Sequence, residues 1–272
     1  MSTAFHFHQG SSPLLISMPH VGTEIPAEIA AAMHPVAAVR ADTDWHLPLL
    51  YNMARELGAS VLFANYSRYV IDLNRPIDDT NLYPGQDTTG LFPVDTFAKQ
   101  PLYKDGMQPT EVQMQQRIRQ YWQPYHQQLS EELGRIRQQH GIAMLWDAHS
   151  IASQVPRFFD GKLPDLNFGT ADQHSCDPGV QQALVEVLRS PQAAHYSHVF
   201  NGRFKGGYIT RHYGAPAQHV HAVQLEMSQC VYMNEAAPFE YRPDLAAQVQ
   251  PLLRQLLSAC LSWADANKKH SG

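Results

Sequence analysis

Several short runs of this sequence are apolar almost without interruption, and they alternate with segments in which apolar residues recur every three or four positions. The clearest runs are 13–18, 60–65, 142–146 and 222–227, and two weaker ones are 68–73 and 206–210. Apolar runs of this length are typical of strands that are buried on both faces of a sheet. The 3–4 spacing predicts helices at 44–57, 110–140 and 245–263, and a further helix that starts after Asp177.

The alternation of strands and helices predicts an α/β fold, with a mostly parallel or mixed sheet covered on both faces. The longest helix starts with a capping box formed by Thr110 and Gln113, and we expect Pro124 to kink or divide it. No linker or repeat is visible, so one catalytic α/β domain is expected over 1–272. Within it, the long irregular stretch at about 77–110 is predicted to be a functional loop.

Composition excludes several classes of protein. Twenty Lys and Arg against 25 Asp and Glu leave no basic excess, which disfavours a nucleic-acid partner. No uncharged apolar run is long enough to span a bilayer, so no membrane association is expected. The N-terminal residues do not resemble a signal peptide, and the three cysteines are widely spaced, so a cytoplasmic location is predicted. Sequence leaves the oligomeric state open.

Three of the apolar runs lead into residues that can do chemistry. His20 follows the first run, His149 follows the run at 142–146, and Glu226 lies inside the run at 222–227. In open α/β sheets ligands bind beyond the carboxyl ends of the strands. Two imidazoles and a carboxylate form the ligand set of catalytic zinc sites, so His20 and His149 are candidate metal ligands. The alternative is that both are structural histidines bonded to backbone or water.

The carboxylate that would complete this set has several candidates. Glu24 lies four residues after His20, whereas Asp42 and Asp44 precede a predicted helix, where a carboxylate also suits capping. Glu226 is either a general base with a raised pKa or the partner of a structural ion pair.

Arginines near these runs point to an anionic substrate. Asn74 and Arg75 end the run at 68–73, and Arg211 follows the glycine pair at 206–207. The guanidinium group binds carboxylates in a bidentate manner. Pairing of such arginines with Asp72 or Asp79 is the alternative. The remaining histidines are expected to be ordinary solvated side chains, including His6, His8, His126, His140, His174, His195 and His198, while His46 and His212 are expected to lie near the site.

Taken together, the motifs resemble the N-formylglutamate amidohydrolase (N-formylglutamate deformylase) family of the histidine-degradation pathway. The matching stretches are SMPHVG (17–22), DTDWH (42–46), SRYVIDLNRP (67–76), LYPG (82–85), DAHS (147–150), NGRFKGGYITRHYG (201–214) and QLE (224–226). The resemblance implies a single-domain, three-layer α/β/α fold similar to zinc carboxypeptidases. It also implies hydrolysis of N-formyl-L-glutamate, a small dicarboxylate, to formate and L-glutamate.

The resemblance implies roles for particular residues. It supports His20 and His149 as ligands of Zn²⁺ or another divalent metal. The third residue after His20 is Thr23 and not the Glu of the carboxypeptidase motif, and Asp44 is chosen over Glu24 as the third ligand. Glu226 resembles the strand-borne general base of those enzymes. Asn74 and Arg75 resemble their carboxylate-binding pair, and Arg211 would hold a second carboxylate or polarise the formyl oxygen.

Two other functions remain compatible with the sequence. A related zinc hydrolase acting on another N-acylated acidic amino acid would use the same residues. A metal-free protein that binds acidic metabolites would need His20 and His149 only as structural side chains.

Overall fold

The computed structural model describes residues 3–268, which contain one mixed seven-stranded sheet. Its strands are β1 (Phe5–His8), β2 (Leu14–Met18), β3 (Ser60–Ala64), β4 (Ala143–Ile151), β5 (Leu166–Gly169), β6 (His198–Phe200) and β7 (Val220–Ser228), in the order β1-β3-β2-β4-β7-β5-β6. The four central strands β3, β2, β4 and β7 are parallel. At the edges, β1 is antiparallel to β3, and β5 is antiparallel to β7 but parallel to β6.

The helices pack on both faces of this sheet. They are α1 (Ala27–Ala30), α2 (Leu47–Leu50), α3 (Glu111–Arg117), α4 (Gln123–His140), α5 (Pro178–Leu188), α6 (Tyr208–Tyr213) and α7 (Pro243–Asn267). Met144 and Trp146 of β4 belong to one apolar cluster with residues of α5 and α7. Leu145, between them, belongs to a second cluster with residues of α4. The predicted α/β architecture with a mixed sheet is therefore confirmed.

The helix predicted at 110–140 is present but divided. Thr110 and Gln113 form the predicted capping box at the start of α3. A π-helical segment, Ile118–Trp122, separates α3 from α4, and Pro124 occupies the first turn of α4. Pro has no N–H to donate and cannot continue a regular helix from the preceding turn, which accounts for the interruption there.

Two of the predicted strands are wrong. Residues 68–73 form turns, because the Arg68 and Asp72 side chains pair with each other and the Val70 N–H bonds back to Ser67 O. Residues 206–210 include the first turn of α6, and the N–H groups of Gly207 and Ile209 donate to side chains of other segments. The helix predicted at 44–57 is reduced to α2 and a 3₁₀ turn at Asn52–Ala54.

The central strands extend further than predicted. β4 continues through Asp147 and His149 to Ile151, and every residue of β4 and β7 is buried. Among residues 3–268, no helix has the length and apolar character needed to cross a membrane.

Candidate active site

The candidate site lies where the central parallel strands reach their carboxyl ends. His20 comes two residues after β2, His149 lies near the end of β4, and Glu226 lies near the end of β7. The β4–β7 register places His149 directly beside Glu226. Strands in a sheet are about 4.8 Å apart, so this register holds the imidazole and the carboxyl group close together.

A loop residue joins the two histidines. Asp44 precedes α2, and its backbone N–H donates to His20 O at 3.0 Å. Its Oδ2 lies 3.1 Å from His149 Nδ1 and 3.8 Å from His20 Nδ1, and it accepts a hydrogen bond from the Ser150 N–H. One ligand atom from each of His20, Asp44 and His149 lies within 4.8 Å of the others, and all three residues are buried. This spacing suits a single cation between them.

The second nitrogen of each imidazole lies close to a further carboxylate. His20 Nε2 bonds to Asp72 Oδ1 at 2.7 Å, and Asp72 pairs in turn with Arg68 at 2.6 Å. His149 Nε2 lies 3.2 Å from Asp147 Oδ1, a buried oxygen that has no hydrogen-bond partner within the described residues. A carboxylate bonded to one ring nitrogen fixes the tautomer of a metal-ligating histidine, and for His20 the bond from Nε2 to Asp72 leaves Nδ1 available to bind metal. The residues present therefore fit a His₂-carboxylate metal site.

The electrostatics of the group also favour a cation. Burial alone would lower the pKa of His149, but the carboxylates of Asp147 and Asp44 outweigh it and raise that pKa well above its ordinary value. Burial lowers the pKa of His20, and Arg68 acts in the same direction. Burial would raise the pKa of Asp72, but the adjacent Arg68 and His20 hold it well below the usual range. The surroundings of His149 thus stabilise positive charge, as a divalent ion would supply.

Glu226 is enclosed beside this group. Its side chain is buried, and its closest hydrogen-bond contact is Gln224 Nε2, 3.4 Å from Oε2. Burial raises the pKa of Glu226 to about 8. A carboxyl group with a pKa near neutrality can both accept and return a proton at physiological pH.

A cleft opens over the group, with about 590 Å³ of space when its open mouth is included. His20, Asp44, His149 and Glu226 all line it. The irregular stretch predicted as a functional loop contributes five further residues to the lining, namely Tyr83, Asp87, Thr88, Thr89 and Phe97. Three arginines, Arg68, Arg75 and Arg203, complete the charged part of the lining.

Of the other predicted site residues, Asn74 and Arg75 line the cleft and Arg211 does not. Arg75 faces the cleft, held by Thr89 O and Asn74 O. Asn74 also lines the cleft, but both amide atoms have protein partners: Oδ1 accepts from the Ile209 N–H, and Nδ2 lies 3.0 Å from His149 Nε2. Arg211 is not among the lining residues; its Nε donates to Gly206 O, and its guanidinium lies over the Tyr83 ring.

The other two candidates for the third ligand, Glu24 and Asp42, lie outside the metal-ligating group. Glu24 is exposed and lies outside the His20–Asp44–His149 group. Asp42 is buried, but its Oδ2 accepts from the Phe97 N–H and so anchors the loop.

Sequence reasoning missed Arg203 and misjudged His126. Arg203 lies in a polar segment with no periodicity, and only its aromatic neighbour Phe204 could have indicated packing. His126 was expected to be solvated, but it is buried, with Nε2 bonded to Leu73 O and Nδ1 to the Tyr213 hydroxyl. Burial lowers the pKa of His126 to about 3, so it is a neutral core residue. His46 bonds to Phe239 O and is not part of the metal-ligating group.

Fold and site together define an α/β protein with a buried His₂-carboxylate group and an adjacent carboxylic acid at the floor of a cleft. A family model described as N-formylglutamate amidohydrolase matches residues 12–233, and the chain belongs to that family.

Relatives support this membership over nearly the whole chain. The chain is 54% identical over 263 residues to the N-formylglutamate deformylase of Pseudomonas putida, with 97% of each chain covered. It is 52% identical over 263 residues to the N-formylglutamate deformylase of Pseudomonas aeruginosa, covering 97% of this chain and 98% of that protein.

Solved structures share the fold. The N-formylglutamate amidohydrolase from Ralstonia eutropha JMP134 superposes with a TM-score of 0.80 at 26% identity, covering 97% of this chain and 98% of that one. A gene product of Agrobacterium tumefaciens gives a TM-score of 0.71 at 18% identity, covering 96% of each chain, and shows the same fold.

Proposed function

We propose that this chain is a metal-dependent amidohydrolase that cleaves N-formyl-L-glutamate to formate and L-glutamate. The relatives at 54% and 52% identity carry the name of that activity. We infer the metal dependence from the buried group of His20, Asp44 and His149, whose ligand atoms converge at the floor of the cleft.

His20 and His149 would hold the metal through Nδ1, and Asp44 would hold it through Oδ2. When bound, Zn²⁺ or another divalent cation would polarise the formyl oxygen and acidify water. Asp72 would keep the His20 imidazole in the ligating tautomer, because it accepts from Nε2. Asp147 lies close to the corresponding nitrogen of His149.

Glu226 is the proposed proton carrier. Its carboxylate would take the proton of the attacking water and later deliver it to the glutamate nitrogen as the amide bond breaks. Burial, which raises the pKa of Glu226 to about 8, makes the protonated form accessible near neutral pH. The β4–β7 register keeps this group beside His149, so the proton does not have to travel far.

Arg75 is the proposed site for a substrate carboxylate. Its Nε and Nη1 donate to Thr89 O and Asn74 O, which fixes the direction of the guanidinium. We propose that Asn74 acts mainly by positioning His149 and the start of α6, since both amide atoms already have partners. The role predicted for Arg211, binding a second carboxylate or the formyl oxygen, stays a prediction.

Three broader predictions belong with this proposal. The parallel central strands, the helices on both faces and the site at the strand ends support a three-layer, zinc-peptidase-like fold. One catalytic domain over 1–272 is consistent with the single sheet, although residues 1, 2 and 269–272 lie outside the described part. The cytoplasmic location also remains a prediction.

An assay of formate release from N-formyl-L-glutamate, before and after chelation, tests the function. We expect turnover by the purified protein, loss of turnover with a chelator, and recovery on adding Zn²⁺. Absence of any turnover by metal-loaded protein would contradict the substrate, and a panel of other N-acylated acidic amino acids would then identify a related hydrolase. Binding of the substrate without turnover or metal would favour the metal-free binding protein.

A further inference from the structure

Arg203 reaches the cleft from the segment between β6 and α6, and aromatic rings surround it. Its guanidinium carbon lies 5.5 Å from the ring centre of Tyr83, 5.7 Å from that of Phe158 and 5.4 Å from that of Phe204. Nε donates to Phe158 O at 2.6 Å, and Nη2 lies 3.4 Å from Asp87 O. These contacts leave Nη1 without a hydrogen-bond partner within the described residues.

The arginines of the cleft differ in how their charge is balanced. Arg68 is paired with Asp72 and lies 4.0 Å from Asp44. Arg157, just outside the lining, is paired with Asp87 and Asp95. Arg75 and Arg203 form no ion pair with any residue of the described chain. The cleft therefore presents two guanidinium groups that have no direct ion-pair partner among the described residues.

This arrangement has an energetic cost that an anionic ligand would relieve. Burial lowers the pKa of Arg203, and the nearby Arg75 acts in the same direction. Each effect disfavours the charged guanidinium, and a carboxylate bound between the aromatic walls would offset both. Two unpaired guanidinium groups in one cleft match a ligand with two carboxylates.

The positions of the two arginines relative to the metal-ligating group distinguish their roles. Arg75 directly follows Asn74, whose amide contacts His149. Arg203 is held by Phe158 and Asp87, neither of which belongs to that group. In an N-formyl amino acid, the α-carboxylate is attached to the carbon that carries the scissile nitrogen, whereas the side-chain carboxylate lies further away. Arg75 is therefore suited to the α-carboxylate.

We propose that Arg203 binds the side-chain carboxylate of the substrate and so makes the enzyme specific for N-formyl amino acids with an acidic side chain. This assignment rests on the proposed function, since it concerns the same cleft. It replaces Arg211 with Arg203 as the residue for the second carboxylate. Tyr83, Phe158 and Phe204 orient the guanidinium and exclude water from it, which strengthens the ion pair.

The test compares N-formyl-L-glutamate with N-formyl-L-glutamine, which has the same shape and a neutral side chain. For Arg203→Met we expect kcat/KM on the glutamate substrate to fall about 10²-fold, while kcat/KM on the glutamine substrate changes less than about threefold. Arg203→Lys should retain part of the preference, because it keeps the charge but loses the bidentate fork. Arg75→Met should lower kcat/KM on both substrates, since both carry the α-carboxylate.

Lys205→Met is the matched control. It removes a positive charge two residues away, but Lys205 is half-buried and paired with Asp172 outside the cleft, so the preference should not change. A general loss of folded enzyme lowers both kcat/KM values by the same factor, so it does not change their ratio. An unchanged ratio in both Arg203 variants, or a ratio that instead collapses in Arg211→Met, would overturn the proposal. If the wild-type protein turns over neither substrate, the proposed function itself is contradicted. That outcome is distinct from an unchanged substrate preference in the Arg203 variants.

Discussion

Glu226 and His149 occupy neighbouring positions on two buried parallel strands, so the proposed proton carrier and a proposed metal ligand have little freedom to move apart. Glu226 nevertheless has no ion-pair partner within the described residues, and burial raises its pKa to about 8. A structural carboxylate would be expected to have a cationic partner. The absence of one favours a role in proton transfer.

Replacing Glu226 by Gln separates metal binding from proton transfer. The amide keeps the shape of the side chain but cannot accept a proton, so we expect kcat to fall about 10²- to 10⁴-fold with metal content unchanged. Formate release and metal analysis of the same preparation measure both quantities. Glu186→Gln, at an exposed position on α5, should leave both unchanged. Full activity of Glu226→Gln would exclude Glu226 as the proton carrier.

The sequence predicted candidate site residues where a reactive side chain interrupts or follows an apolar run, and the structure brings His20, His149 and Glu226 to one cleft. Sequence reasoning missed Arg203 because the environment of that side chain is assembled from three separate segments, around Tyr83, Asp87 and Phe158. It also expected His126 to be solvated, although the buried partners Leu73 and Tyr213 come from elsewhere in the chain. Contacts between segments that are distant in the chain leave no pattern in the local sequence from which they could be predicted.

At the scale of elements, hydrophobic runs predicted most of the central strands, and the capping box predicted the start of α3. The end of β4 could not be predicted, because polar residues such as Asp147 and His149 usually indicate that a strand has ended. Both residues nevertheless lie inside β4. The segment 206–210 resembled a strand by composition. Its N–H groups instead bind side chains of Asn74 and Gln224, which no local propensity encodes.

Gly207 shows how closely this segment approaches the site. A Cβ at Gly207 would lie 2.3 Å from Asn74 Nδ2, so Gly207→Ala should displace Asn74 and, through it, His149. We expect a loss of about 1–3 kcal/mol in the free energy of unfolding and a fall of at least about tenfold in kcat. Urea unfolding and formate release measure the two effects.

Gly134→Ala provides the contrast, since a Cβ at this exposed position in α4 meets nothing within 4 Å. The substitution should raise the free energy of unfolding by about 0.5–1 kcal/mol, because alanine favours the helix, and should leave kcat unchanged. Equal effects of the two substitutions would show that the contact between Gly207 and Asn74 is unimportant.

At the scale of the whole molecule, the proposed metal ligands connect β2, the loop before α2 and β4. A cation that binds only when these three parts are in place stabilises the folded state by mass action. We expect Zn²⁺ at about 100 times its dissociation constant to raise Tm by roughly 5–10 °C. Thermal unfolding with and without chelator measures this. Asp44→Asn should abolish most of the shift, and a shift of the same size in that variant would contradict the assigned ligands.

The sequence separation of these ligands also determines when the site can exist. His149 lies 105 residues after Asp44, and β2 and β4 must pair in register before their imidazoles can meet. The helices at 111–140 contain none of the three ligands. We therefore expect catalytic competence to return late in refolding, when the central sheet is complete, whereas helix content can recover beforehand.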